Sequence, residues 1–190
     1  MKTQNIMIVG VGGQGTLLAS KLLGKILLKK GYDVKVSEVH GMSQRGGSVV
    51  TYVRYGEKVY SPVIDKGEAD IILSFEMLEA ARWIEYLAKD GRVITNTQQT
   101  NPMPVITGAT EYPEGLAEKI KSLGIKADCF DALTPAVEAG SSKAVNLVLL
   151  GKLSNYFDFS EEDWMQAIEE SVPPKFLEIN KKAFSAGKNA

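Results

Sequence analysis

The chain has 190 residues, 44% of them apolar, which is enough to bury the core of one domain. Its formal net charge of −1, with both signs interleaved, gives no reason to expect binding to nucleic acid or an anionic membrane. Its single cysteine excludes an intramolecular disulfide. The lack of a signal peptide or a membrane-spanning apolar run predicts a cytoplasmic protein.

Strand-like and helix-like patterns alternate from the first residues onward. NIMIVG at 5–10 is a compact apolar run that predicts a strand, and TLLASKLLGKILLKKG at 16–31 predicts a helix. DVKVSEV at 33–39 alternates as a second strand. SVVTYVRYGEKVYSPVI at 48–64 predicts a β-hairpin with its turn at 55–57.

The second half of the chain continues the alternation. The predicted elements are strands at 69–75, 92–97 and 125–132, and helices at 76–91 (closed by Gly91), 114–124, 143–153, 160–171 and 174–187. Strands that alternate with helices favour parallel βαβ units. We therefore predict a single α/β domain over residues 1–190. Its open, mostly parallel Rossmann-like sheet carries helices on both faces, a β-hairpin and C-terminal helices.

The segment GVGGQG at 10–15 matches G-x-G-x-x-G through Gly10, Gly12 and Gly15, directly after a strand and before a helix. Glycines in this context allow a tight turn and let backbone approach an anion that the helix N-terminus favours. The alternative is that they only let strand and helix pack closely. A dinucleotide site would also need an acid after the second strand, and Glu38 has a suitable position.

The second glycine-rich segment, EVHGMSQRGG at 38–47, is too polar for core and too rich in glycine for a helix. Arg45 before two glycines suits a carboxylate or phosphate, although it could also bond carbonyls of its own loop. His40, the only histidine, invites a general-base role, but bonding to neighbouring backbone is favoured. The residues predicted to face a ligand or a partner are Gly10, Gly12, Gly13, Gln14, Gly15, Glu38, His40, Gly41, Met42, Ser43, Gln44, Arg45, Gly46 and Gly47.

Other polar residues follow predicted strands. Glu76 is predicted to begin a helix at the carboxyl edge of the sheet, and Asn96 and Thr97 share that edge. The aromatic residues Trp83, Tyr86 and Trp164 are predicted to belong to the core or a subunit contact, and Cys129 to be a small buried strand residue. We predict no catalytic residue and no metal ligand.

Three segments together resemble the gamma-type domain of the 2-oxoacid:ferredoxin oxidoreductases. They are GVGGQG at 10–15, SEVHGMSQRGGSVVTYVRYG at 37–56 and SPVIDKGEADIILSFEMLEA at 61–80. The likeness continues through EAGSSKAVNLVLLGKL at 138–153, whereas the last helices carry little signature. HGMSQRGG at 40–47 favours the indolepyruvate branch, because subunits acting on pyruvate or oxoglutarate usually differ ahead of Arg-Gly-Gly.

The resemblance implies a non-catalytic small subunit that completes an active site held by a large alpha subunit. Thiamine diphosphate, a divalent metal and iron–sulfur clusters would lie in that partner. Indolepyruvate or another aryl pyruvate would be oxidatively decarboxylated to an acyl-CoA, with coenzyme A as co-substrate and ferredoxin as electron acceptor. This chain alone would bind no cofactor and be inactive. Arg45 would meet the substrate carboxylate, a coenzyme A phosphate or a carboxylate of the partner.

Two other functions fit the same residues. The chain could be a self-sufficient NAD(P)- or FAD-binding Rossmann oxidoreductase that uses Gly10, Gly12, Gly15 and Glu38. It could instead be a pure assembly module whose glycine loops bind no small molecule. Only the dinucleotide enzyme requires binding of NAD(P) or FAD.

Overall fold

The computed structural model describes residues 2–38 and 46–190. Within these ranges the strands are β1 (Gln4–Val11), β2 (Asp33–Glu38), β3 (Ser48–Gly56), β4 (Ala69–Ser74), β5 (Leu87–Asn96) and β6 (Lys126–Phe130). They form one sheet in the order β2-β3-β1-β4-β5-β6. β3 runs antiparallel to β1 and β2, whereas β1, β4, β5 and β6 are parallel neighbours. The predicted open, mostly parallel sheet is confirmed.

Helices cover both faces of this sheet, as predicted. In the described ranges they are α1 (Thr16–Lys29), α2 (Met77–Arg82), α3 (Met103–Ile106), α4 (Leu116–Ser122), α5 (Leu133–Ala139), α6 (Val145–Ser154), α7 (Glu161–Glu169) and α8 (Leu177–Lys188). α1 and α6 pack on one face, where α5, α7 and α8 join them, and α2 and α4 pack on the other. None of the described helices is both long and apolar enough to cross a bilayer.

β1 buries both of its faces, so its side chains divide between two apolar layers. In β1, Ile6 and Ile8 join the layer under α1 and α6, and Met7 and Val9 join the layer under α2. This alternation follows from the two-residue period of a strand. A strand that is apolar on both faces is typical of a parallel sheet covered by helices on each side.

α6 and α8 approach each other through glycine. An added methyl group at Gly187 would overlap the carbonyl oxygen of Val148, and one at Gly151 would overlap the carbonyl oxygen of Phe184. α6 is buried along almost its whole length, because α8 covers the side that the sheet does not. The C-terminal helix is therefore an integral part of the core.

The hairpin predicted for residues 48–64 does not form its second arm. Residues 57–68 contain no strand. Both edges of β3 are already paired, with β1 on one side and β2 on the other, so a further arm has no edge to join. The guanidinium of Arg54 donates to the carbonyl oxygens of Ser61 and Val63, at 3.1 and 2.6 Å, and holds this segment without a ladder.

The helix predicted for residues 76–91 is also too long. α2 ends at Arg82, a short 3₁₀ turn (Ile84–Tyr86) follows, and β5 begins at Leu87. Gly91 does not stop a helix but lies buried in β5, where an added Cβ would lie 2.8 Å from the carbonyl oxygen of Ala69. Pairing with β4 therefore overrides the local helical pattern.

Candidate functional site

The candidate site lies at the carboxyl edge of the sheet, between β1 and β4. From β1 the chain crosses by α1 to β2 on one side, whereas the parallel neighbour on the other side is β4. In open α/β sheets such a reversal of strand order leaves a crevice at the carboxyl ends, where ligands bind. The glycine loop at 10–15 leaves β1 at this position.

Gln14 shapes the glycine loop. Its Oε1 accepts a 2.7 Å hydrogen bond from the amide of Val11, and its Nε2 donates to the carbonyl oxygen of Phe75 at 3.5 Å. Gly10 makes this possible, because an added Cβ would lie 2.8 Å from Gln14 Oε1 and 2.9 Å from Phe75 Cβ. Gln14, unusual for a dinucleotide loop, therefore spans the gap between the ends of β1 and β4.

Gly15 brings the start of α1 close to α6. It has φ +91°, in the left-handed region that favours glycine, and an added Cβ would lie 2.8 Å from Nδ2 of Asn146. Gly15 also gives α1 no side-chain cap, so the first amides of this 14-residue helix have no side-chain partner at the end that lies beside the crevice. Gly15 therefore serves both interpretations of the loop: it lets α1 pack against α6, and it leaves the N-terminus of α1 open to an anion.

The second glycine-rich segment meets the first at its carboxyl end. The amide of Gly12 donates a 2.9 Å hydrogen bond to the carbonyl oxygen of Gly47, and exposed Gly46 has φ +93°. The two glycine-rich segments are therefore in direct contact at these residues. The predictions for His40, Gly41, Met42, Ser43, Gln44 and Arg45 concern residues that lie outside the described ranges.

A cleft of about 670 Å³ opens beside the joined loops. One wall is the glycine loop with Gly46, and the second is the turn Ser141–Asn146 that leads into α6. An apolar third side comes from Val172, Phe176 and Ile179. Exposed Lys143 lies on the second wall and makes no ion pair with any other residue in the described ranges. The cleft suits a molecule with an anionic group and an apolar part.

Glu38 does not occupy the position that a dinucleotide site requires. β3 lies between β1 and β2, so Glu38 is two strand spacings from β1, about 10 Å, and not one. Its carboxylate accepts a 2.7 Å hydrogen bond from the hydroxyl of Ser20 on α1. The geometry therefore disfavours the dinucleotide enzyme among the alternatives.

Glu76 caps α2, as its position in the sequence predicts. It is 1% exposed and accepts hydrogen bonds from the amides of Glu79 and Thr100, at 2.9 and 3.0 Å, and from the hydroxyl of Tyr112 at 2.6 Å. Burial and this bond raise the pKa of Tyr112. Glu76 therefore fixes the segment after β5, whose residues Gln98 and Thr100 line the cleft.

Asn96, at the end of β5, is fully buried and forms hydrogen bonds to the residues that follow β4 and β6. Its Nδ2 donates to the carbonyl oxygen of Phe75 at 3.4 Å, and its Oδ1 accepts from the amide of Ala132 at 3.1 Å. Thr97 is exposed and bonds through its amide to Phe130 at 3.0 Å. Both lie at the predicted edge of the sheet, where these bonds hold neighbouring strand ends together.

The predictions for the aromatic residues agree with the structure, whereas Cys129 lies on a strand as predicted but is only half-buried. Trp164 is 2% exposed and packs against Phe184 with ring centroids 5.5 Å apart, whereas Trp83 and Tyr86 are half-buried and contact each other at 5.3 Å. Cys129 lies half-buried on β6, and burial raises the pKa of its thiol. None of these side chains lines the cleft.

The side chains of the described residues do not fit a resident metal or cluster. Residues 2–38 and 46–190 contain no group of three or more His, Cys, Asp or Glu side chains that could hold a metal ion. One cysteine in the whole sequence cannot ligate an iron–sulfur cluster. The site therefore offers backbone amides and side-chain donors, which can bind and orient but carry no redox chemistry of their own.

Glu79 is a buried polar residue of this region that the sequence did not single out. It is 4% exposed and accepts a hydrogen bond from the hydroxyl of Ser48, the residue after Gly47. The pairing spans 31 residues, so no local pattern reveals it. The only nearby signal is the i, i+4 spacing to Trp83, whose Nε1 donates to the same carboxylate at 3.3 Å.

The open α/β sheet and the two contacting glycine loops define a class of protein. Comparison with known proteins identifies that class. Residues 5–190 match the family described as Pyruvate ferredoxin/flavodoxin oxidoreductase, and the chain belongs to that family. It is 48% identical over 197 residues to the Indolepyruvate oxidoreductase subunit IorB of Thermococcus kodakarensis, an alignment that covers 100% of this chain and 96% of that protein. The predicted family is therefore confirmed.

Two further comparisons place the chain within the family. The Pyruvate/ketoisovalerate oxidoreductases common subunit gamma of Thermococcus litoralis is 25% identical over 184 residues, covering 95% of this chain and 91% of that protein. A structure of 2-oxoglutarate:ferredoxin oxidoreductase from Magnetococcus marinus, with 2-oxoglutarate, coenzyme A and succinyl-CoA bound, has the same fold at TM-score 0.75 and 21% identity. The match covers all of this chain and 31% of that longer one.

Proposed function

We propose that the chain is the small, non-catalytic subunit of a thiamine-diphosphate-dependent 2-oxoacid:ferredoxin oxidoreductase. It completes an active site that a large alpha subunit holds, and the enzyme converts indolepyruvate or another aryl pyruvate to an acyl-CoA. Residues 1–190 act as one gamma-type domain in the cytoplasm. The 48% identity to an indolepyruvate oxidoreductase subunit over the full length of this chain is the observation that carries the proposal.

The residues of this chain support a division of labour between the two subunits. Thiamine diphosphate, its divalent metal and the iron–sulfur clusters belong to the large subunit, and ferredoxin accepts the electrons from the assembled enzyme. This chain contributes the joined loops, the cleft and the cation of Lys143. These groups bind anions and exclude water, which orients a substrate without making or breaking its bonds.

The anionic partners of this site are the substrate carboxylate, the phosphates of coenzyme A or a carboxylate of the large subunit. The exposed ammonium of Lys143 lines the cleft, and the uncapped N-terminus of α1 begins directly after Gly15, which also lines it; both favour negative charge. The apolar wall at Val172, Phe176 and Ile179 suits the uncharged part of such a ligand. The planar guanidinium of Arg45, in the second loop, adds several N–H donors for a carboxylate or phosphate.

Reconstitution tests the proposal. The isolated chain is expected to oxidise no 2-oxo acid, and the mixture with the large subunit is expected to reduce ferredoxin when indolepyruvate and coenzyme A are present. Titration calorimetry of the isolated chain with NAD(H), NADP(H) and FAD is the control for the dinucleotide alternative. Oxidation of a 2-oxo acid by the chain alone, or tight binding of a dinucleotide, would contradict the proposal.

A further inference from the structure

The carboxylate of Glu79 lies at the base of the second loop. It accepts hydrogen bonds from the hydroxyl of Ser48 and from Nε1 of Trp83, and Nε of Arg82 lies 3.5 Å from its Oε1. A carboxylate buried to this degree is costly unless hydrogen bonds satisfy its oxygens. The two hydrogen bonds and this ion pair meet that requirement, and Ser48 is the partner that does not come from the neighbourhood of α2.

Ser48 is the residue through which the second loop enters the sheet. It begins β3 and pairs with Val11, the last residue of β1. Its predecessor, Gly47, accepts the hydrogen bond from Gly12. The side chain of Ser48 therefore lies one residue from the Gly12–Gly47 hydrogen bond that joins the two loops.

Packing and a helix cap fix α2, which carries the acceptor of this hydrogen bond. Met77 and Ala80 are buried against the sheet, and the Glu76 carboxylate caps the helix by accepting from the amide of Glu79. Met77 and Ala80, the buried residues of α2 with only a packing role, are apolar. The carboxylate of Glu79 instead adds a directional bond to Ser48.

We propose that Glu79 is a positioning residue that, through Ser48, sets where Gly46 and Gly47 rejoin the sheet and holds Gly47 against the glycine loop. The consequence for catalysis rests on the proposed function. The mechanical part, that the Ser48–Glu79 bond supports the Gly12–Gly47 bond, stands without it. The two parts are therefore tested separately.

The mechanical test uses amide hydrogen exchange in the full chain. Ser48→Ala removes the hydroxyl, Ser48→Thr keeps it, and Trp83→Phe removes another donor to Glu79 without touching the loop. We expect the Gly12 amide to exchange about tenfold faster in S48A, the change expected from losing one buried hydrogen bond, and within about twofold of wild type in S48T and W83F. The amide of Phe75, which bonds to Val9 at 2.9 Å, is the internal reference.

The catalytic test uses the same variants assembled with the large subunit. We expect kcat/KM for the 2-oxo acid to fall about tenfold in S48A, to recover in S48T and to stay unchanged in W83F. Unchanged Gly12 exchange in S48A, or equal acceleration in W83F, would overturn the proposal. A wild-type complex without 2-oxoacid activity would instead defeat the proposed function, while the exchange data would still decide the role of Glu79.

Discussion

The amide nitrogen of Gly12 lies 2.9 Å from the carbonyl oxygen of Gly47 and donates a hydrogen bond to it. This hydrogen bond between residues 35 positions apart in the chain (47 less 12) joins the two loops through backbone atoms. Because no side chain takes part, the side chains of the second loop can change without cutting this link. Their contribution to ligand or partner binding can therefore be measured with the contact between the loops left in place.

Arg45→Ala is expected to leave the fold and the assembly with the large subunit intact and to lower kcat/KM by about 10- to 100-fold. That range corresponds to losing a hydrogen bond to a charged group. Arg45→Lys keeps the charge but loses the planar fork, so we expect an intermediate loss. Steady-state kinetics of the complex, with size-exclusion chromatography for assembly, measure both. Loss of the complex in R45A would assign Arg45 to the subunit interface.

Gly187→Ala is expected to destabilise the chain by about 2–3 kcal/mol or more, because the methyl group would overlap the Val148 carbonyl oxygen. The matched control is Gly24→Ala in the middle of α1, where the nearest atom to an added Cβ is 3.8 Å away, at Val36. There the higher helix propensity of alanine should stabilise by about 0.5–1 kcal/mol. Urea unfolding followed by circular dichroism gives both values. Equal effects would show that α6 and α8 can move apart without cost.

Gly15→Ala should destabilise more than Gly13→Ala. Both residues have positive φ, near +91° and +100°, so each alanine carries a backbone cost of about 1–2 kcal/mol. Only at Gly15 does an added Cβ also meet Asn146 Nδ2, whereas nothing lies within 4 Å at Gly13. The double variant Gly15→Ala/Asn146→Ala should recover part of the difference. Additive losses in thermal unfolding of this pair would argue against the contact.

Cys129 should react slowly with iodoacetamide in the folded chain. Burial raises the pKa of its thiol, so less thiolate is present at a given pH than in an exposed cysteine, whose pKa is about 8.5. The midpoint of the rate against pH should lie above that value and return to it in guanidinium chloride. Cys129 is the only cysteine, so mass spectrometry follows one site. A folded-state midpoint at or below the denatured one would contradict the expectation.

Stability should decline between about pH 10 and pH 12 because of Tyr55. Burial raises the pKa of this phenol from 10.0 to about 12 in the folded chain. The unfolded chain therefore releases the proton first, and the stabilising contribution is full below pH 10 and lost as the pH rises through about 12. Unfolding free energies from urea titrations across this range, compared with those of Tyr55→Phe, measure the effect. The phenylalanine variant should show a flatter decline, and an identical slope would exclude Tyr55 as its source.

Local patterns in the sequence predict most of the elements, but not the partners of each strand. Five of the six described strands were identified as single strands, and β3 was assigned to a hairpin because its turn residues suggest one. Insertion of β3 between β1 and β2 depends on pairing over a long stretch of chain, which two-residue periodicity does not encode. α5 (Leu133–Ala139) was not predicted. Only Ala136 of that helix is buried, so its seven residues show no repeating apolar pattern.

The candidate site was predictable in part for the same reason. The glycine loop and the position of Glu76 follow from local rules, because the carboxyl end of a parallel strand defines the edge and an acid favours a helix start. The function of Gln14 as a bridge to Phe75 and that of Glu79 as a partner of Ser48 depend on residues far away in sequence. Such contacts become visible only when the strands have been ordered.

The reversed direction of β3 has a consequence for engineering this subunit. A nine-residue strand is about 30 Å long, so a parallel β3 would begin at the far side of the sheet from the glycine loop. Because β3 is antiparallel to β1, its first residue, Ser48, lies beside Val11. β2 ends with Glu38 at the same edge of the sheet. The chain between Glu38 and Ser48 thus leaves and re-enters the sheet at the same edge, and strand pairing fixes both of its ends. Doubling its length costs about 0.6 kcal/mol in closure entropy, so it could be exchanged between relatives without disturbing the sheet.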